Sequence, residues 1–392
     1  MLLTLALPSL PAGAADPRSA TGSGTSSRVA GVALEGRGFG HGRGLSQYGA
    51  QGAARDGVGW KRILRFYYPG TGLGRQGGRL AVLLTADSED RSDDVKVRAR
   101  SRLSVRSLRK DRTWRLDRAD SRARLWRVVP DARGRSVIQR KRSSGGWRTW
   151  RRFPGEAELF AKGGPVTLVT PAGRTAYRGT LRSTAVDARG TERDTVNVVP
   201  LEQYLRGVVP QEVPALWEPD AVRAQAVAAR TYAAFERDST NRSSYDLCDT
   251  AACQVYGGAS AEHPASDAAV RATAKRVVAE GGDPVFAQFS ASNGGWTVAG
   301  PYPYQRAKED DWDTWSGNPH TSWTADVEAG AIEERWPAIG TFTGIEVTER
   351  DGNGAWGGRV QEMVVRGEDG EVTVSGDTFR IAFGLRSTWF RA

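Results

Sequence analysis

The chain has 392 residues, 39% hydrophobic and 26% charged, with a formal net charge of +10 and two cysteines. That composition is globular and supplies enough chain for one large domain or two ordinary ones; it excludes a disulfide-stapled miniprotein, and no stretch has the roughly 20 apolar residues of a membrane span. The basic excess, mostly Arg, draws polyanions without choosing among nucleic acid, anionic lipid and anionic wall polymer.

Residues 1–28 open with a short apolar run and small residues at Ala12, Gly13, Ala14 and Ala15, followed by a Ser- and Gly-rich lead-in. This reads as a signal peptide with an A-x-A cleavage site, although a positive leading segment is missing. The expected location is therefore secreted or cell-wall associated. Residues 29–34 read as a strand.

Residues 36–57, GRGFGHGRGLSQYGAQGAARDG, begin with a glycine run whose backbone can pass close to a ligand and end in a helical segment, 45–54. The run lacks the Gly-Lys-Ser/Thr ending of a phosphate loop. His41, flanked by glycines, is a candidate site residue. Residues 60–69 have apolar positions at helical spacing and stop at Pro-Gly, and 80–85 form a continuous apolar strand pattern.

Residues 87–153 are dense in Arg, with alternating apolar positions such as Leu103 and Val105, and with Trp114, Trp126, Trp147 and Trp150 interleaved. The period of two predicts short antiparallel strands. Arg with aromatics is also the chemistry of nucleic-acid surfaces, but no nucleic-acid motif is present and the chain looks exported. We read an Arg-rich β subdomain or insertion that touches anionic wall polymers, and no nucleic acid.

Strand signals return over 164–198. A short helix follows at 201–207, ended by Gly207, and Pro210 and Pro214 then restrict the backbone and leave Glu212 in a short apolar turn. Pro219 suits the first position of an alanine-rich helix over 221–235. Residues 246–258, DLCDTAACQVYGG, read as a loop and a short strand; 266–280 as a helix; 285–297 as a strand entering a glycine turn. Residues 310–323 are acidic, Trp-rich and irregular, and strands at 345–349, 361–366 and 372–374 precede a short closing helix. The expected fold over 29–392 is α+β, with antiparallel sheets and a few helices around a central groove.

The segments GFGHGRGLSQYGAQGAA, NVVPLEQYLRGVVPQEVPALWEPDAVRAQAVAARTYA, CDTAACQVYGG, FSASNGGWT and GLRSTWF occur in one order, from Gly38 to Phe390. Together they resemble the stage II sporulation protein D family, the SpoIID/LytB domain. The resemblance is thin over 87–153. It implies a lytic transglycosylase that cleaves the MurNAc–GlcNAc bond of peptidoglycan glycan strands and leaves a 1,6-anhydro end. The sporulation branch acts on strands stripped of stem peptides. The alternative is a non-catalytic enhancer of a cell-wall amidase, a name that relatives have carried.

The family's V-x-P-x-E-x-P pattern places its catalytic acid on Glu212. One carboxylic acid suffices where the sugar's own C6 hydroxyl attacks, whereas ordinary glycosidases need two. Such an acid must be protonated near neutral pH, and Val209, Pro210, Val213, Pro214 and Trp217 offer the apolar surroundings that would raise it. The resemblance also implies sugar contacts from Gln47, Tyr48, Gln225, Arg230, Tyr232, Ser290, Ser292, Gly294 and Gly295, each of which could equally hold loops and helices together. Cys248 and Cys253 are either a local disulfide or part of a zinc site. Two thiolates fall short of the usual four zinc ligands unless His41, His263 or His320 joins them. No other cofactor is expected.

Overall fold

The computed structural model describes residues 29–88, 94–239, 242 and 244–392. The expected signal peptide lies outside them. The fold is α+β, and nearly every strand pairing is antiparallel. No helix among the described residues is long and apolar enough to cross a membrane.

A seven-stranded sheet runs in the order Leu247–Cys248, Arg79–Leu83, Arg193–Pro200, Thr180–Ala185, Ala157–Ala161, Leu103–Ser107, Arg112–Arg115. A six-stranded sheet runs Arg148–Pro154, Arg135–Lys141, Leu125–Pro130, Val95–Arg98, Val166–Thr170, Gly173–Tyr177. Inward residues of both sheets, among them Val105, Leu159 and Leu181 from the first and Val97, Trp126 and Ile138 from the second, share one core. The alternation seen in the Arg-rich stretch is this pleat, apolar inward and Arg outward.

Five helices frame the other side. They are α1 (Gln47–Arg55), α2 (Trp60–Tyr67), α3 (Leu201–Glu212), α4 (Pro219–Ser239) and α5 (Pro264–Ala272). Alanine lets α4 lie between two cores. Val222, Ala226, Ala229 and Ala233 face the sheets, whereas Ala221, Ala224, Val227 and Ala228 face α1 and α2. Near the end of the chain, Phe342–Arg350, Val360–Gly367 and Glu371–Ser375 form a three-stranded sheet, and Gly31–Gly36 pairs with both Trp323–Glu328 and Phe390–Arg391.

Four local expectations are corrected. Helix α3 does not stop at Gly207 but runs on through Pro210 to Glu212. Gly207 is there for contact: a Cβ would lie 2.5 Å from the Gly258 carbonyl oxygen. A proline so near the helix end costs few hydrogen bonds, and burial of Leu201, Tyr204, Leu205, Val208 and Val209 holds the helix together. Glu212 is therefore the last helical residue, not part of a turn. The 266–280 helix ends at Ala272 and is followed by a strand, Arg276–Glu280, paired with Gly72–Arg75. The reversal turns on Lys275 at φ 62°. Within 285–297 only Phe289–Ser290 and Trp296–Thr297 are strands, and within 246–258 the strand is Leu247–Cys248, at the start. In both places side-chain and loop hydrogen bonds replace the ladder.

Candidate active site

Glu212 closes α3 where three elements meet. The backbone N–H of Val255, from the loop after Cys253, donates to its carboxylate. Gln47, at the start of α1, brings Nε2 to 3.5 Å from Oε2. Burial pushes the carboxyl up from 4.5 to about 6, against the opposing pull of these two donors. No other carboxylate acts on it among the described residues.

Each neighbour is held from behind. Ser46 caps α1, its Oγ accepting from Gly49 N–H at 3.1 Å and donating to Asp313. Asp313 also accepts from Ser292 Oγ at 2.6 Å and Gly294 N–H at 2.7 Å. The adjacent Asp310 accepts from Tyr67 Oη at 2.7 Å and Asn293 Nδ2 at 2.6 Å, and burial beside Asp313 pushes it up to about 7. Glu218 N–H donates to Gln51 Oε1 at 3.0 Å, which ties the α3–α4 connection to α1. On the loop, Tyr204 Oη meets Gln254 Oε1 at 3.2 Å, Tyr256 Oη donates to Asn197 Oδ1 at 2.9 Å, and Asp249 accepts from Thr85 Oγ1 at 2.7 Å.

From Glu212 a run of rings leads outward. Trp217 meets Tyr48 edge-on at 4.9 Å between centroids, Tyr48 meets His320 at 5.1 Å, and His320 meets Phe39 at 5.1 Å. Phe39 is 45% exposed. Burial, with Arg386 nearby, lowers the His320 pKa. Half-exposed ring edges and faces suit the C–H faces of sugars. On the other side of Trp217 a cavity of about 420 Å³ is lined by Leu216, Pro219, Val222 and Ala269.

The family model described as SpoIID, stage II sporulation protein, matches residues 189–279, which contain α3, Glu212, α4 and the Cys248–Cys253 loop. Over that segment the chain is similar to the stage II sporulation protein D family. It is 36% identical over 137 residues to a protein of Bacillus subtilis (strain 168) named amidase enhancer, covering 33% of this chain and 18% of that one. It is 28% identical over 232 residues to stage II sporulation protein D of the same organism, covering 51% and 62%. It is 30% identical over 146 residues to the protein of that name from Bacillus amyloliquefaciens, covering 31% and 42%. The chain thus spans less than two thirds of each of these relatives.

Within this chain, the residues singled out from sequence separate into groups. Gln47 and Tyr48 lie at the Glu212 end. Gly295, at φ 103°, turns the chain beside Asn293, whose Oδ1 accepts its N–H at 2.9 Å. Ser290, Ser292 and Gly294 are buried, and their polar atoms are spent on Gly42 N–H and Asp313. They shape the floor under α1. Arg230 is fully buried, paired with Glu202 at 2.8 and 2.9 Å and donating to the carbonyls of Ala226, Val270 and Arg276. A guanidinium so enclosed ties α4 to α3 and α5. Gln225 is likewise buried inside α4, and its amide finds no hydrogen-bond partner among the described residues. Tyr232 packs on Phe286 at 5.5 Å and Phe289 at 6.4 Å. His41 lines a separate cavity of about 290 Å³ with Arg43, Asp351, Arg359 and Asp377. Burial and the nearby Arg43 and Arg359 hold it down at about 4.

Cys248 and Cys253 are joined as a disulfide. Their sulfurs are then not thiolates, and among the described residues no three His, Cys, Asp or Glu side chains are grouped to hold a metal. His263 caps α5 through Nδ1 at 3.2 Å from Ala265 N–H, and His320 belongs to the ring run. The donors present do not fit zinc, and no step below uses one.

Sequence reasoning missed Val255, Asp310, Asp313 and the use of His320 and Phe39. The only trace of the carboxylate pair was the acidic, Trp-rich composition of 310–323. A backbone donor such as Val255 leaves no signature in side-chain identity.

Proposed function

We propose that the chain is a peptidoglycan lytic transglycosylase acting on glycan strands, with Glu212 as its single acid and base. The observation that carries this is a half-buried carboxyl raised to about 6 with two donors on it and no second carboxylate acting on it among the described residues. Hydrolytic glycosidases hold two carboxyl groups roughly 5–10 Å apart, one for the leaving oxygen and one for water or the sugar. A single acid fits a reaction that supplies its own nucleophile. Protonated Glu212 gives its proton to the glycosidic oxygen as the C1–O bond breaks. The resulting carboxylate then takes the proton of the C6 hydroxyl as that oxygen bonds to C1. The proton count returns to its start and no water is consumed.

The N–H groups of Val255 and Gln47 favour the carboxylate formed between the two steps, while burial favours the acid that begins them. The ring run Trp217–Tyr48–His320–Phe39 is the surface we assign to the strand. The test is digestion of peptide-free glycan strands followed by mass spectrometry, where anhydro-ended fragments support the reading and fragments with ordinary reducing ends, or none, refute it.

A second reading rests on the relative named amidase enhancer. In it the same surface holds wall glycan without cutting it and raises the activity of a partner amidase. Equal enhancement of an amidase by the native chain and by Glu212→Gln, with no anhydro ends from either, would favour it.

A further inference from the structure

Residues 94–153 contain twenty-one Lys and Arg against five Asp, an excess of sixteen in a chain whose whole excess is ten. The rest of the chain is therefore net acidic, and the basic field belongs to one part of the molecule. Four of the five aspartates are committed. Asp94 takes Arg127 at 2.8 Å and Lys96 at 3.4 Å, Asp117 takes Arg115 at 2.6 Å, and Asp131 takes Arg135 at 2.8 Å. Asp120 takes both Arg140 at 2.8 Å and Arg142 at 2.9 Å.

At Asp120 the compensation is incomplete. Arg148 stands directly opposite Arg140 in the antiparallel register of Arg148–Pro154 on Arg135–Lys141. Like charges at such positions repel, and among the described residues Arg148 has no carboxylate partner. Arg140, Arg142 and Arg148 line one open cleft of about 340 Å³ with Ser144, Gly145 and Gly146. Gly145 takes φ 88°, and nothing lies within 4 Å of where a Cβ would stand on either glycine. Three guanidinium groups thus line one cleft, only two of them paired with its single carboxylate, beside an uncovered loop backbone and on the edge strand of the six-stranded sheet.

The aromatic residues nearby narrow the ligand. Nucleic-acid strands bind through open rings on which bases stack. Here Arg127 covers Trp147 at 4.3 Å, and Arg151 lies 4.8 Å from both Trp114 and Trp150. Trp114 also stacks on Phe153 at 5.4 Å, and Trp126 is fully buried. The cations are presented and the stacking faces are occupied. Convergent guanidinium forks match phosphate oxygens.

We propose that this cleft binds a base-free phosphodiester polymer, a linear polyol phosphate of the kind a cell wall carries. The proposal is independent of the reading of Glu212. The test measures binding of fluorescent poly(glycerol phosphate) to the full chain by anisotropy across a range of salt, with oligothymidylate of equal charge as the comparison. Arg142→Ser/Arg148→Ser should weaken polyol phosphate binding about tenfold or more at low salt and lower the salt slope by about 0.7 per guanidinium removed. Arg366→Ser/Arg391→Ser, which removes as much charge elsewhere, should change it less than about twofold. The single Arg148→Ser, at an exposed position, should lose about threefold and guards against a folding defect in the pair. Equal losses in both double variants, no loss in the single one, or oligothymidylate binding as tightly as the polyol phosphate would overturn the proposal.

Discussion

Gln47 and Glu212 are 165 positions apart in sequence, yet Nε2 of the first lies 3.5 Å from Oε2 of the second. One begins a helix and the other ends one. The proposed chemistry depends on this end-to-end meeting, because the side chain at the tip of α3 is both partly dried and lightly held. Removing the donor tests the balance. In Gln47→Leu the carboxylate loses a stabilising N–H, so the group titrates higher still. The alkaline limb of kcat/KM against pH should move up by roughly half a unit while the limb itself persists. An unmoved limb would mean that Gln47 does not act on Glu212.

Burial also gives Glu212 a stability signature. The group titrates near 4.5 when unperturbed and at about 6 in the fold, so the folded chain holds this proton more tightly. Its contribution is complete below about pH 4.5 and is lost as pH rises through about 6, reaching roughly 2 kcal/mol. Glu212→Gln cannot ionise. It should match the native chain in urea unfolding near pH 4 and exceed it by about 1–2 kcal/mol near pH 8. A variant less stable than the native chain near pH 8 would contradict the assigned environment.

Much of this was legible beforehand. The alanine stripe of α4 and the alternation of the Arg-rich strands follow from local pattern, whereas Glu212 was singled out by the family motif. What misled was punctuation. Gly207 reads as a stop, but it is small because the Gly258 backbone presses against it. Pro210 reads as a breaker, but it comes where few helical bonds remain to be lost. Arg230 shows the same limit from the other side: a charged residue in a family motif reads as a ligand contact until Glu202 and three carbonyls are found around it. Long-range partners decide such roles, and a single sequence does not carry them.

Arg230 accordingly predicts a fold defect. Arg230→Ala removes the guanidinium that Glu202 and the carbonyls of Ala226, Val270 and Arg276 share, leaves a void between three helices, and should cost about 3–5 kcal/mol in chemical denaturation. Under conditions where the variant is folded, KM for glycan strands should stay near the native value. A stable Arg230→Ala with a strongly raised KM would return this residue to the sugar site.

The disulfide closes a loop with a sequence separation of 5, worth about 2 kcal/mol of chain entropy. Reduction should lower stability by about that much and free the loop that presents Val255 N–H to Glu212. Thermal unfolding with and without reductant, beside the Cys248→Ser/Cys253→Ser variant, measures it. If the reduced chain and the double variant unfold at the native midpoint, the bridge contributes nothing to holding that loop.

The claim that a sugar hydroxyl, and not water, completes the reaction is tested most directly by digesting peptide-free glycan strands in heavy-oxygen water and weighing the products. The account predicts anhydro ends without heavy oxygen from the native chain, and no new ends from Glu212→Gln. Fragments that carry one heavy oxygen at a reducing end, or undiminished cleavage by the variant, would contradict it.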